Sequence, residues 1–305
     1  MVDTVRELLD LLTLRCDGPD TYIGSADQMP AGALFGGHVV GQALVAASQT
    51  VSDQRLPHSV HCLFVAPGRS ERPIDYRVAR VGDGGSFSRR RVVATQVGRE
   101  LLTMQASFHI GETGLTHDRE QPLAPDPDSC TPLTGLAADP ERWPDMYGQW
   151  GAIDVRVAPR PPVLPRPTST GKTPGAQVWL RVSAELVGPQ VMHSAVLACV
   201  SDMTLLGAAL APHGISHRHP GYRVASLDHC LWIHAPFRAD EWMLYHQISP
   251  VAAAGRGFCR GEIYQAGRHI ATVVQEGLIR TDKSVSDGRN ATHVVEAATA
   301  NHRYS

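Results

Sequence analysis

The sequence predicts an α+β protein in which a helix followed by antiparallel strands occurs twice. Apolar segments of helical composition each precede several segments rich in β-branched and aromatic residues. Turns that contain glycine separate those strand-like segments. The same order of segments returns after a proline-rich connection, which indicates an internal duplication.

The first half begins with two predicted helices. A leucine-rich segment at residues 5–14 ends at the Gly/Pro/Asp sequence of residues 17–20. Residues 35–48 mix small and apolar residues with a few polar ones, the pattern of a helix packed tightly into a concave sheet. An antiparallel meander follows, since turns such as residues 82–85 separate the next segments. The predicted strands are residues 59–65, 74–81, 87–97 and 100–110.

The second half repeats this order. Residues 112–175 hold twelve of the 22 prolines and predict a long irregular connection with one or two strands. An apolar helix is predicted at residues 193–210. The strands predicted after it are residues 225–234, 242–250, 257–265 and 269–280. We therefore expect an N-terminal repeat at residues 1–111, the connection, a C-terminal repeat at residues 176–281, and a polar tail at residues 282–305.

Two sequence matches link the halves. The sequence His-Cys-Leu-Phe-Val from His61 matches His-Cys-Leu-Trp-Ile from His229 at an offset of 168 residues. Gln105 matches Gln275 at an offset of 170 residues. Chance is the alternative explanation, because one short match and one glutamine are little support. The repeated element order favours duplication.

The composition excludes several classes of protein. The chain has 305 residues, is 43% hydrophobic and 19% charged, and carries a formal charge of -2. It is too apolar to be disordered and has no basic patch for nucleic acid. The acids near the amino terminus do not fit a secretory signal. The apolar residues 195–212 contain Asp202 and are short for a membrane span, so we expect none.

The cysteines predict a reducing, cytoplasmic environment. There are six, at positions 16, 62, 130, 199, 230 and 259, without a Cys-x-x-Cys motif or regular spacing. Several lie in apolar segments, where a thiol behaves as a small hydrophobic group. His213, His217 and His219 resemble metal ligands, but no acidic residue accompanies them and an arginine lies among them. A solvated loop is therefore the favoured interpretation, and no metal is expected.

Asp202 is the most informative candidate for chemistry. It is the only charged residue between positions 195 and 212, on a helix that should be buried. A buried carboxylate costs several kcal/mol unless hydrogen bonds or water compensate for it. One interpretation is an N-cap, if a helix begins after Ser201. The other is a general base that activates water in a cleft.

A general base needs companions that hold the water and the electrophile. Gln275 interrupts the apolar run of residues 270–274, and Ser226 stands at the start of a predicted strand. Gln275 could instead face outward from its strand, and Ser226 could be an ordinary turn residue. The sequence has no G-x-S-x-G motif, P-loop or dinucleotide fingerprint to suggest another chemistry.

Four segments in a common order resemble the acyl-CoA thioesterase II family of the TesB type. They are Phe-Gly-Gly-His-Val-Val-Gly-Gln-Ala-Leu at residues 35–44, Asp-Gly-Gly-Ser-Phe-Ser-Arg-Arg at 83–90, Ala-Ser-Leu-Asp-His at 225–229 and Val-Gln-Glu-Gly at 274–277. The similarity covers about residues 5–281. It implies a double hotdog fold, in which each repeat wraps an antiparallel sheet around one long helix.

The resemblance also implies an activity and a site. The family hydrolyses fatty acyl-CoA to free fatty acid and CoA without a metal or cofactor. It uses an Asp, a Thr or Ser, and a Gln that together bind the nucleophilic water. These positions fall on Asp202, Ser226 and Gln275. Ser226 stands where we expect Thr, and His38 where Gln is usual. We expect one active site, in the C-terminal repeat, because the N-terminal repeat has no counterpart of Asp202.

Two other functions remain as alternatives. A non-catalytic acyl-CoA binding protein would keep the fold without turnover, although the presence of all three polar residues argues against it. A hotdog hydratase or dehydratase would need a His/Asp motif that the sequence does not show. Fatty acyl-CoA is the expected partner, and a homo-oligomer is expected because open sheet edges favour pairing.

Overall fold

The computed structural model describes residues 2–26, 32, 34–136, 150–159, 175–217, 219 and 221–281. The helices among them are α1 (Val5–Leu12), α2 (Gly36–Ser48), α3 (Leu133–Leu136), α4 (Gln190–Val200) and α5 (Gly207–Leu210). The predicted polar tail and much of the proline-rich connection lie outside the described residues. No helix within the described ranges has the length and apolar content needed to cross a bilayer.

Fourteen strands of the described chain form one antiparallel sheet. The first six strands are β1 (Arg15–Gly18), β2 (Thr21–Gly24), β3 (Leu56–Phe64), β4 (Ile74–Asp83), β5 (Phe87–Gln96) and β6 (Arg99–His109). The other eight are β7 (Thr131–Pro132), β8 (Ile153–Val157), β9 (Ala176–Val182), β10 (Tyr222–Ser226), β11 (Asp228–Ile233), β12 (Met243–Ala253), β13 (Arg256–Gln265) and β14 (Arg268–Thr281).

The strand order is symmetric about the central pair of β3 and β11. From that pair outward, one side runs β3, β6, β5, β4, β2 and the other runs β11, β14, β13, β12, β9. In each half the chain forms one outer strand, then a helix, then the four inner strands. The duplicated element order predicted from the sequence is therefore present, and the two halves share one sheet.

The strand predictions for the first half are confirmed to within a few residues, with one omission. The hairpin of β1 and β2 was not predicted, and residues 17–20 were interpreted only as a helix stop. Each of its strands has four residues, too few to show an alternating pattern. In the connection, β7 and β8 agree with the expected one or two strands.

The single strand predicted at residues 225–234 is two strands separated at Leu227. β10 pairs with the carboxyl end of β14, whereas β11 pairs with its middle and with β3. The Leu227 N–H donates to the Glu276 carbonyl at 2.9 Å, and its own carbonyl accepts from the Phe64 N–H at 2.9 Å. The backbone at the break is thus satisfied, and the chain changes its partner strand there.

The residue-level repeat match is wrong, although the element order repeats. His229 pairs directly with Cys62 across the central strands, and both are buried. His61 is exposed and therefore lies on the opposite face. Gln105 is exposed as well, whereas Gln275 is completely buried. The matched residues face opposite sides of the sheet, since side chains alternate along a strand.

The two long helices pack against each other on the inner face of the sheet. α2 is buried from Gly37 to Ala47, which explains its small and apolar composition. A Cβ added to Gly37 would lie 2.1 Å from the Cys199 carbonyl oxygen, and one on Gly41 would lie 3.0 Å from that of Ala195. The helices therefore run antiparallel and approach closely because these positions have no side chain. This brings the start of α2 to the end of α4.

Candidate active site

Asp202 lies at an interruption of the helix predicted at residues 193–210. α4 ends at Val200, turns cover residues 201–206, and α5 begins at Gly207. The backbone bond from Met203 N to Val200 O, at 3.1 Å, spans three residues. The chain thus leaves α-helical geometry there. The N-cap interpretation of Asp202 is also wrong, because α5 begins five residues later without a side-chain cap.

The carboxylate of Asp202 is almost completely buried, with its side chain 4% exposed. Ser226 is the last residue of β10, and its hydroxyl donates to Asp202 Oδ1 at 3.3 Å. Across the sheet Ser226 pairs with Gly277. A Cβ added to Gly277 would lie 2.3 Å from the side chain of Leu206. The glycine therefore allows the turn after Asp202 to pack closely against the strand.

Gln275 completes a closed set of hydrogen bonds. It lies two residues before Gly277 on β14 and is completely buried, so the outward-facing alternative is wrong. Its amide Nε2 donates to Asp202 Oδ1 at 2.5 Å and to Ser226 Oγ at 2.7 Å. These bonds use both amide hydrogens of Gln275 and the hydroxyl hydrogen of Ser226. The structure thus brings the three predicted residues together and directs both donors at one carboxylate oxygen.

The other carboxylate oxygen faces the N-terminal repeat. A Cβ on Gly36, the first residue of α2, would lie 2.9 Å from Asp202 Oδ2 and 2.9 Å from the Phe64 ring. The amino end of a helix carries unpaired N–H groups and the positive end of its dipole. Residues of both repeats therefore form the site. Sequence reasoning did not place Gly36 here, because only the antiparallel packing of α2 and α4 brings it to Asp202.

A second group of buried residues lies behind the carboxylate. His229 is completely buried, with Nε2 2.9 Å from Ser201 Oγ and Nδ1 3.9 Å from Asp202 Oδ1. The Tyr245 hydroxyl donates to the Ser201 carbonyl at 3.1 Å. We used His229 only for the repeat comparison. Its position three residues after Ser226 was the available signal for a role in the site.

Burial controls the charge of the groups around Asp202. Desolvation lowers the pKa of His229, and the negative charges of Asp202 and Asp228 only partly oppose this effect. Desolvation also raises the pKa of the Tyr245 hydroxyl and the Cys62 thiol well above their ordinary values. These three groups are therefore neutral at pH 7, and the carboxylate lies among neutral polar groups.

The other histidines that the sequence singled out lie in the segment from His213 to His219 and, at His38, in α2. No group of three or more His, Cys, Asp or Glu residues in the described ranges has the geometry of a metal site. The His213 to His219 loop therefore offers no such cluster within the part of the chain that is described. His38, which stands where Gln is usual, is completely buried in the first turn of α2.

Models of two protein families match the chain. The model described as acyl-CoA thioesterase matches residues 151–278, and the one described as acyl-CoA thioesterase N-terminal domain matches residues 25–109. Human acyl-coenzyme A thioesterase 8 is 38% identical over 282 residues, which is 88% of each chain.

Solved structures agree with these matches. The crystal structure of the acyl-CoA thioesterase II TesB2 from Mycobacterium marinum superposes with a TM-score of 0.77 at 38% identity, covering 90% of this chain and 98% of that one. A hot dog fold protein of unknown function from Alicyclobacillus acidocaldarius has a TM-score of 0.69 at 19% identity, covering 90% and 97%. The latter supports the fold alone. The fold is a double hotdog, as the sequence resemblance implied.

Proposed function

Because this chain belongs to the acyl-CoA thioesterase family and is a thioester hydrolase, we propose that it hydrolyses fatty acyl-CoA at Asp202, Ser226 and Gln275. The observation that carries this proposal is the closed hydrogen-bond set on Asp202 Oδ1. Because the hydrogen bonds of this set that reach Asp202 all end on Oδ1, the other oxygen, Oδ2, has no hydrogen bond from the described residues. Oδ2 lies beside Gly36 at the start of α2.

In the proposed reaction Asp202 is the general base. Its Oδ2 removes a proton from water as the water oxygen attacks the thioester carbonyl carbon. Ser226 and Gln275 hold the carboxylate in one orientation, so that Oδ2 rather than Oδ1 faces the water. The family resemblance implies instead that these residues bind the water itself. The hydrogen bonds support an action through the carboxylate.

The tetrahedral intermediate carries negative charge on the former carbonyl oxygen. Backbone N–H groups at the amino end of α2 are the candidate donors for this oxyanion, since Gly36 lies beside Asp202 and the N-cap residue Phe35 supplies no side-chain cap. The carbon–sulfur bond then breaks. CoA leaves as a thiolate that takes a proton from the protonated Asp202 carboxyl, directly or through solvent; this restores the Asp202 carboxylate, and the fatty acid is released.

In this proposal the two repeats have different roles. We assign the N-terminal repeat to residues 1–111 and the C-terminal repeat, with the general base Asp202 and its positioning residues Ser226 and Gln275, to residues 176–281. The family models matched to residues 25–109 and 151–278 support this division. The position of Gly36 indicates that the N-terminal repeat contributes to the site as well as to the scaffold.

We further propose a reducing, cytoplasmic location and a homo-oligomer. The six cysteines, all within the described residues, form no disulfide there, and four of them are buried, which supports a reducing compartment. Leu63 and Val65 are 58% and 56% exposed near the central strands, which supports association through the outer face of the sheet. Light scattering of the purified protein tests the second proposal, and a monomer at micromolar concentration would contradict it.

Two assays separate thioester hydrolysis from the alternatives. Free thiol is measured after addition of saturated acyl-CoAs of increasing chain length, and enoyl absorbance is followed with enoyl-CoA. We expect the saturated acyl-CoAs to release thiol, with a preferred chain length. With enoyl-CoA, we expect no change in enoyl absorbance before thiol is released. Binding of acyl-CoA without thiol release would instead support the binding-protein alternative. A change in enoyl absorbance with the thioester intact would support a hydratase.

A further inference from the structure

Two polar groups of the described chain lie within 4 Å of the nitrogens of His229, and both belong to the segment that carries the general base. Ser201 Oγ lies 2.9 Å from Nε2, and Asp202 Oδ1 lies 3.9 Å from Nδ1. The ring is completely buried on β11, so substrate cannot touch it. Nδ1 has no hydrogen-bond partner among the described residues. Among the described residues, the nitrogens of the imidazole therefore reach the site through Ser201 and Asp202.

The position of the ring proton follows from the hydroxyl of Ser201. That hydroxyl has one hydrogen and two acceptors within reach, the Ala198 carbonyl at 3.3 Å and His229 Nε2 at 2.9 Å. If it donates to the nearer Nε2, the ring proton is on Nδ1 and faces the carboxylate. The other tautomer would place the Nδ1 lone pair against a negatively charged oxygen. The geometry favours the proton on Nδ1.

His229 is also the one side chain with a basic nitrogen that the described residues place within 4.0 Å of the Asp202 carboxylate. In the described parts of the chain, no arginine or lysine lies within the ion-pair distance of 4.0 Å from Asp202. The hydrogen bonds of Ser226 and Gln275 reach Oδ1 from the strands β10 and β14. The imidazole N–H adds a third dipole on the β11 side, with Nδ1 3.9 Å from the same oxygen, close enough for an electrostatic interaction but beyond hydrogen-bond distance.

We propose that His229 is a positioning residue of the thioesterase site. Its neutral ring, with the proton on Nδ1, stabilises the ionised Asp202 carboxylate in the orientation that leaves Oδ2 free for water. The inference rests on the proposed function of Asp202 as general base. It assigns His229 no contact with substrate and no transfer of a proton.

Two substitutions of His229 distinguish the role of Nδ1 from that of Nε2. In His229→Asn the amide nitrogen replaces Nδ1, whereas in His229→Gln it replaces Nε2. We expect His229→Asn to keep kcat within about threefold of wild type. His229→Gln should lower kcat by roughly 10- to 100-fold with KM within about twofold, since the lost interaction acts on the reacting state. His234→Gln, a change at an exposed histidine just after β11, is the control and should leave kcat unchanged.

Equal losses of kcat in both variants, in parallel with equal losses of Tm, would show a purely structural role and overturn the proposal. Wild-type kcat in His229→Gln would overturn it as well. If both variants fail to fold, Ser201→Ala tests the same idea, because it keeps the ring and removes the group that fixes its tautomer. We expect kcat to fall about three- to tenfold, and an unchanged kcat would contradict the proposal. Wild-type activity of Asp202→Asn would instead refute the proposed function itself.

Discussion

The Ser226 hydroxyl shows how one atom can orient a general base. It donates to Asp202 Oδ1 and accepts from the Gln275 amide. We expect Ser226→Ala to lower kcat by about 10- to 100-fold, because a hydrogen bond to a charged group contributes about 1.5–3 kcal/mol. Ser226→Thr keeps the hydroxyl and should stay within about threefold of wild type. Steady-state thiol release measures both. Equal loss in the two variants would show that volume, and not the hydroxyl, matters at this position.

At the residue scale, the sequence revealed the polar side chains that contradict their apolar surroundings. Asp202, Ser226 and Gln275 could be identified because each interrupts or borders an apolar segment. Gly36 could not be assigned, because nothing in its local sequence shows what it approaches in the fold. For His229 the one local signal was its position three residues after Ser226, which does not show what the ring contacts. Their proximity to Asp202 depends on the packing of α2 against α4 and on the position of β11 beside β3.

At the scale of elements, the contact between α2 and α4 depends on glycine. A methyl group on Gly37 would lie 2.1 Å from the backbone oxygen of Cys199, which cannot move without displacing α4. We expect Gly37→Ala to reduce the free energy of unfolding by about 1–3 kcal/mol, as measured by urea denaturation. Gly85→Ala is the matched control, because a methyl group there would have no neighbouring atom within 4 Å. Equal stability of the two variants would contradict this view of the interface.

Element types were predictable where the pattern is long, and element breaks were not. The β-branched and aromatic composition of β3 to β6, with glycine-containing turns between them, predicts four strands, and the structure contains them. The breaks at Leu227 and after Val200 have no sequence signal, because tertiary partners determine them. β10 and β11 bind different parts of β14, and the interrupted helix places Asp202 against that strand.

For the whole molecule, the duplicated order of helix and strands was predictable, because it depends on the spacing of apolar segments along the entire chain. The alignment of the two repeats was not. The match between His61 and His229 joins residues on opposite faces of the sheet, since one is exposed and the other buried. An offset wrong by one residue leaves the element order intact and exchanges the two faces.

Six histidines whose pKa is lowered by desolvation give the whole molecule a defined response to acid. Burial lowers the pKa of each, in the case of His217 to about 4. The group comprises His58, His193, His217, His229, His234 and His246. Because the unfolded chain binds protons at these sites more tightly, acid favours unfolding as the pH falls through about 6.5. Burial raises the pKa of the Asp228 carboxyl, so this single group has the opposite effect and favours the folded state in acid.

We therefore expect the free energy of unfolding to be lower at pH 5.5 than at pH 7.5. Urea denaturation at the two pH values measures it, and a third series at pH 8.5 should agree with the one at pH 7.5, because these histidines are already neutral there. A free energy of unfolding that increases from pH 7.5 to pH 5.5 would show that the histidines do not govern stability in this range.

The measurement that tests the account most directly is the turnover of acyl-CoA by Asp202→Asn beside wild type. The amide keeps the size of the side chain and removes the base, so kcat should fall by about two to four orders of magnitude with little change in Tm. Asp228→Asn is the matched control and should retain wild-type turnover, because its amide oxygen can still accept from the Glu276 N–H. Wild-type turnover in Asp202→Asn would contradict the central claim that this carboxylate activates the water.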